Sequence, residues 1–196
     1  MKKLSIMCLL AGLAGLGSCR ECDEVAPDGV TALQEQFHGK YAPIRSTSSL
    51  ALDVDRDGNA STDMLAEIGD LSNSWVEVRV YSTGSNSAPA SLTFIHQWPK
   101  QELTPAEPTN DNPLSRLWYA TKVVYWSFSF DSSRTRLLLE PQPADQSNPE
   151  LYTPAESVLV KGDGQIEVTL SKRLYTTEGW KTARIVTLYG RFTKTT

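Results

Sequence analysis

Trp75-Val76-Glu77-Val78-Arg79-Val80 puts three valines on one side of an extended chain and Glu77 and Arg79 on the other. Successive side chains of a strand point to opposite faces, so this strict period of two reads as a strand with one buried face. The pattern spreads outward from there. Leu92, Phe94, His96 and Trp98 repeat it. Leu117 to Asp131 is a long strand with Trp118, Val124, Trp126, Phe128 and Phe130 on one side; Lys122 interrupts that face, as a bulge or a rim would. Thr135 to Glu140 makes a further strand. Ser157 to Lys161 and Gln165 to Leu174 flank Gly162-Asp163-Gly164, a hairpin signal. Trp180 to Thr193 is the last strand, with Val186, Leu188 and Phe192 in register. Lys100 to Pro113 and Pro141 to Pro154 carry prolines and little apolar content, so both read as exposed loops. About eight or nine strands at hairpin spacing, with little helix after residue 68, predict an all-β antiparallel barrel or sandwich.

Upstream of this region the texture is different. Val30, Leu33 and Phe37 stand at helical spacing, with Asp28 or Thr31 as its cap. Tyr41 to Arg45 and Ser49 to Val54 are short extended runs, and Ser61 is placed to cap a brief helix through Ile68. Lys2-Lys3 followed by the apolar run Leu4 to Gly17 has the layout of an export signal, too short to span a bilayer comfortably. Leu16-Gly17-Ser18-Cys19 resembles the lipobox of bacterial lipoproteins. The resemblance implies cleavage before Cys19, acylation of that cysteine and anchorage of the chain to a membrane, since several acyl chains at one site bind firmly. The expected organisation is residues 1–18 as signal peptide, 19–28 as lipidated tether and 29–196 as one domain. The expected location is the outer membrane, on its periplasmic or surface face. Arg20-Glu21-Cys22-Asp23-Glu24 is either an export signal for the surface or a solvated tether.

The chain carries 40% hydrophobic and 21% charged residues over 196 positions, as one ordinary globular domain would. Its formal charge is −4, and loss of Lys2 and Lys3 with the leader makes it more acidic. No basic cluster is present, which argues against nucleic acid as a partner. Cys8 leaves with the signal and Cys19 carries lipid, so Cys22 has no partner and the fold is expected to stand without disulfides.

One stretch has chemistry of its own. Asp53-Val54-Asp55-Arg56-Asp57-Gly58 alternates carboxylates at every second residue and ends in glycine. Calcium takes six to eight oxygen ligands, and a tight Asp-rich loop supplies them around a turn that glycine permits. The loop resembles an EF-hand at its first, third and fifth positions, Asp53, Asp55 and Asp57. The resemblance implies a ligand set that continues through the Asn59 carbonyl and Ser61. It departs at Met64, where a closing Glu belongs, leaving Asp63 or Glu67 to close the site. A structural calcium ion is expected, bound more weakly than in a complete hand.

Gly39-Lys40-Tyr41, between a short helix and the first strand, looks like the Gly-x-Trp signature that opens lipocalin-like barrels, with Tyr for Trp. Together with the lipobox and the acidic loop, it is similar to a class of small bacterial lipoproteins with such barrels. That implies an interior able to hold a small apolar molecule. Enzyme signatures are missing: His38 and His96 lack zinc-ligand spacing, and no Gly-x-Ser-x-Gly, P-loop or dinucleotide fingerprint occurs. A non-catalytic, lipid-anchored binding barrel is the first expectation. An interaction subunit of an envelope assembly, with a filled core, is the second. An open Trp-lined cavity favours the first, and a closed interior with an apolar surface patch favours the second.

Overall fold

The computed structural model describes residues 27–82, 90–140, 154–162 and 164–195. The stretch read as a signal peptide, Cys19, Cys22 and residues 141–153, expected from sequence to be a loop, lie outside the described residues.

Helix α1 (Pro27–Phe37) is followed by β1 (Gly39–Leu52), β2 (Ser61–Asp63), α2 (Met64–Glu67), a 3-10 turn (Gly69–Asn73) and β3 (Trp75–Tyr81). The chain then runs through β4 (Ser91–Thr104), β5 (Arg116–Phe130), β6 (Arg136–Leu139), β7 (Ser157–Gly162), β8 (Gln165–Thr176) and β9 (Gly179–Thr193). Strand β1 and strands β3 to β9 pair in antiparallel sequence order. Pairing of β1 with β9, from Lys40↔Thr193 to Ser48↔Ile185, closes them into an eight-stranded barrel. Closure removes the open edges a sheet would otherwise present. The ninth strand, β2, adds to the far half of β1.

The valines of β3 face inward, as do Phe94, His96 and Trp98 of β4 and Val124, Trp126 and Phe128 of β5; all are buried. The face of β9 is the reverse of the sequence expectation. Ala183, Ile185, Thr187 and Tyr189 turn inward, while Phe192 is 60% exposed. The reason lies at the closing seam, where Thr187 and Ser46 of β1 are both buried and their hydroxyls meet at 2.7 Å. Each satisfies the other, so polar residues occupy the inner face there without an unpaired group.

Four further expectations are corrected. The two short runs before the acidic loop form the single strand β1, which absorbs register shifts at Lys40/Tyr41 and Pro43/Arg45 instead of ending. Ser61 starts β2, and Asp63 caps α2 by accepting from the Leu65 amide at 3.0 Å. Helix α1 opens at Pro27, ahead of Asp28 and Thr31; proline suits a first helical position because its missing N–H has no partner to lose. Strand β4 continues to Thr104 through residues expected to be loop, and Gln101 and Leu103 are buried.

Helix α1 stops one end of the barrel. Its buried Val30, Leu33 and Phe37 form its inner stripe, and the Phe37 and Phe130 rings lie 4.5 Å apart. Gln34 Nε2 donates to the Val80 carbonyl at 2.9 Å. Arg191 of β9 donates to the Glu35 and Gln36 carbonyls at 3.0 and 2.9 Å, a cation on the carbonyl end of the helix. Gly39 sits where a Cβ would meet the Thr193 carbonyl oxygen at 2.2 Å, so the first residue of β1 has no room for a side chain. Tyr41, buried, donates from its hydroxyl to the Phe37 carbonyl at 2.6 Å. The Gly-x-Tyr stretch is thus the joint between helix, first strand and last strand.

Candidate functional site: a barrel-mouth cavity and an adjoining acidic loop

The end opposite α1 is organised differently. Among the described residues, strand β7 accompanies β8 only as far as Ser157↔Thr169, and the rest of that β8 edge has no strand partner there. Gln101, on the extension of β4, takes that place. Its Nε2 donates to the Tyr175 carbonyl at 3.0 Å and its Oε1 accepts from the Tyr175 amide at 2.7 Å. A second link joins Arg173 to Glu107 through two bonds of 3.1 and 3.3 Å, while the Arg173 guanidinium lies 4.1 Å from the Trp180 ring centre. The β4–β5 extension therefore straps across the mouth to β8.

Beneath the strap is a cavity of about 390 Å³, lined among others by Trp98, Trp126, Trp180, Val124, Leu170 and Leu174. Ligand sites run about 300–1,000 Å³ and are walled mainly by apolar and aromatic groups with a few polar ones. His96 is the polar group toward the closed end, with Nε2 3.3 Å from the Tyr189 hydroxyl. Burial holds the imidazole pKa down at about 3, helped by the charge of Lys172, so it is neutral near pH 7. Burial also pushes the Tyr189 hydroxyl well above the ordinary phenol range. Neither group carries charge at neutral pH. His38, the other histidine, accepts at Nδ1 from the Val80 amide at 3.1 Å, a structural bond near α1.

The acidic loop lies on the rim of the same end, between β1 and the β8–β9 turn. Asp53, Asp55 and Glu67 bring carboxylate oxygens within 4.8 Å of one another. Asp53 is 7% exposed and Glu67 4%. Asp53 Oδ2 accepts from the Thr177 hydroxyl at 3.0 Å, and its carbonyl accepts from the Thr177 amide at 3.3 Å. Its Oδ1 is buried without a hydrogen-bond partner among the described residues. Glu67 Oε2 accepts from the Val54 amide at 2.7 Å, yet burial raises its carboxyl pKa above the ordinary value, and the Asp55 and Asp53 charges add to that. A buried unpaired oxygen beside two further carboxylates is costly by itself and is the donor set a hard cation takes.

The other residues of the acidic stretch are placed differently. Asp57 Oδ1 accepts from the Asn59 amide at 2.7 Å, Ser61 Oγ accepts from the Asp63 amide at 2.9 Å, and Asp63 caps α2. The structure thus brings Glu67 to Asp53 and Asp55, while Asp57 and Asp63 stand outside that group. The turn itself uses positive φ at Arg56 (67°) and Gly58 (91°). The sequence offers Asp63 or Glu67 to close the loop and its expected ligand set runs through Asp63; the structure puts Glu67 there instead, because Asp63 is taken as the cap of α2. Gln101 and Lys172 gave no sequence signal, because one stands in a proline-rich stretch and the other on a polar-looking strand.

No protein-family model, no curated protein and no solved structure matches this chain, so its own residues carry the functional argument.

Proposed function

We propose that this chain is a lipid-anchored, non-catalytic binding barrel of lipocalin-like type, which holds a small apolar molecule beneath the β4–β5 strap. The observation that carries this reading is the tryptophan-walled cavity at the end α1 leaves open. Cys19 is the residue to be acylated, which tethers the barrel to the outer membrane. Asp53, Asp55 and Glu67 hold a structural calcium ion. The ion would answer the orphaned Asp53 oxygen and, through Thr177, fix the β8–β9 turn beside the mouth. One surface feature supports the second reading, an interaction subunit: Ile44 and Phe192 are 54% and 60% exposed on neighbouring strands β1 and β9.

Native mass spectrometry of the chain beginning after Cys22, purified without chelator, tests the reading. The expected spectrum carries one calcium and a fraction with a small organic molecule. Asp53→Asn with Glu67→Gln is expected to remove the calcium. A bare monomer that takes up neither calcium nor apolar probes excludes the binding barrel, and a specific dimer in that spectrum favours the interaction subunit.

A further inference from the structure

We infer that the cavity takes a small apolar molecule carrying one uncharged hydroxyl, which enters hydroxyl first and hydrogen-bonds to His96 Nδ1 at the closed end. The inference deepens the proposed function and rests on the cavity being a ligand site.

His96 belongs to the deepest level of the cavity wall. Strands β4 and β8 run from the α1 end toward the mouth, and His96 and Leu170 are the first of their residues to line the cavity. Strand β5 runs the other way, and Trp126 is its last lining residue. Leu170 is apolar and the Trp126 indole nitrogen is sealed from contact, so the polar contact at that level is His96.

The imidazole is fixed from behind. Its ring centre lies 5.9 Å from that of Trp98 and 6.2 Å from that of Tyr189, edge-on to both at 73° and 89°. Nε2 is 3.3 Å from the Tyr189 hydroxyl. Tyr189 also engages the Thr187 hydroxyl, which meets that of Ser46 at 2.7 Å. The second ring nitrogen, Nδ1, bonds to no described residue, yet it is not among the polar atoms sealed from contact. The residue is 5% exposed and lines the cavity, so the space Nδ1 opens on is the cavity itself.

The surroundings select what answers that nitrogen. Burial keeps the imidazole uncharged near pH 7, so a charged head would be buried against it without a counter-charge from it, at high cost. A buried water needs about two to four polar partners, and among the described residues this level offers it His96. A hydroxyl both donates and accepts, so it pairs with Nδ1 in either tautomer of the ring. The apolar remainder of the molecule then lies along Val124, Trp98 and Leu174 toward the mouth.

The test measures retention of radiolabelled octanol and octane by the full chain in nanodiscs, with empty nanodiscs subtracted. Octane has the same carbon chain without the hydroxyl, and His96→Phe keeps a ring while removing both nitrogens. The ratio of octanol to octane affinity is expected to fall about fivefold in the variant, the worth of one net hydrogen bond. Octane retained by the variant shows that the barrel is folded. A ratio that the substitution leaves unchanged overturns the inference and leaves the apolar cavity standing. Retention of neither probe by the wild-type chain overturns both. If the variant does not fold, imidazole nitrogen resonances of the wild-type chain decide. The chain has two histidines, and His38 sits beside α1, so the signal to follow is that of His96. Its movement with octanol and not with octane is the expected result; movement with both alike, or with neither, overturns the inference.

Discussion

Thr177, in the β8–β9 turn, donates its hydroxyl to Asp53 at the end of β1, a 3.0 Å bond across 124 positions of chain. Through it the acidic loop and the rim of the cavity share one hydrogen-bonded corner. A cation held by Asp53, Asp55 and Glu67 would therefore act on the tertiary fold as well as on the loop.

Calcium is expected to raise the thermal midpoint. An ion that binds only the folded chain stabilises it by about 2.7 kcal/mol at a hundredfold excess over its Kd. In a chain of this size that is a shift of several degrees, read by calorimetry with calcium and with chelator. Asp53→Asn is expected to abolish the shift. Thr177→Val keeps all three carboxylates and should reduce the shift only in part.

Acid should destabilise the barrel through His96. Its folded pKa of about 3 lies below the ordinary value of 6.5, so the unfolded chain binds more protons in between. The stabilisation from keeping this imidazole neutral is complete above pH 6.5 and is lost as pH falls toward 3, by up to about 1.4 kcal/mol per pH unit. His96→Gln is expected to flatten that slope in urea titrations between pH 6.5 and 5, above the ordinary carboxylate range.

Gln101→Leu should loosen the mouth. The Tyr175 amide and carbonyl would lose the partner that replaces a strand, at about 1–3 kcal/mol for each buried group left unsatisfied. Faster hydrogen exchange at the Tyr175 amide, with the α1 end unchanged, is the expected readout. Unchanged exchange would mean that the strap is held by Glu107 and Arg173 instead.

Gly39→Ala should disturb the opposite end. The new Cβ meets the Thr193 carbonyl at a distance no real contact tolerates, and the backbone there has φ of 138°. A loss of at least about 1–3 kcal/mol is expected in urea unfolding, from the clash and the unfavourable backbone together.

The barrel was legible wherever the signal is local. Val76, Val78 and Val80 declare an inner face by a period of two, and Gly162 and Gly164 mark a hairpin by the conformations they permit. Asp53 and Asp55 next to Gly58 declare a turn rich in oxygens for the same reason, since charge and backbone freedom act within a few residues. What lay beyond the sequence depends on partners distant along the chain. The inner face of β9 is chosen by a hydroxyl pair with Ser46, and Glu67 rather than Asp63 joins Asp53 because Asp63 is occupied as a helix cap. Gln101 lies in a proline-rich stretch whose composition suits an exposed loop and a strap over a cavity equally well. Lys172, on a strand that does not pair with β4, comes within 6.0 Å of the Trp98 ring centre only once the barrel has closed. Local sterics and alternation determine strands from sequence alone; which side chains converge at the mouth is decided by closure.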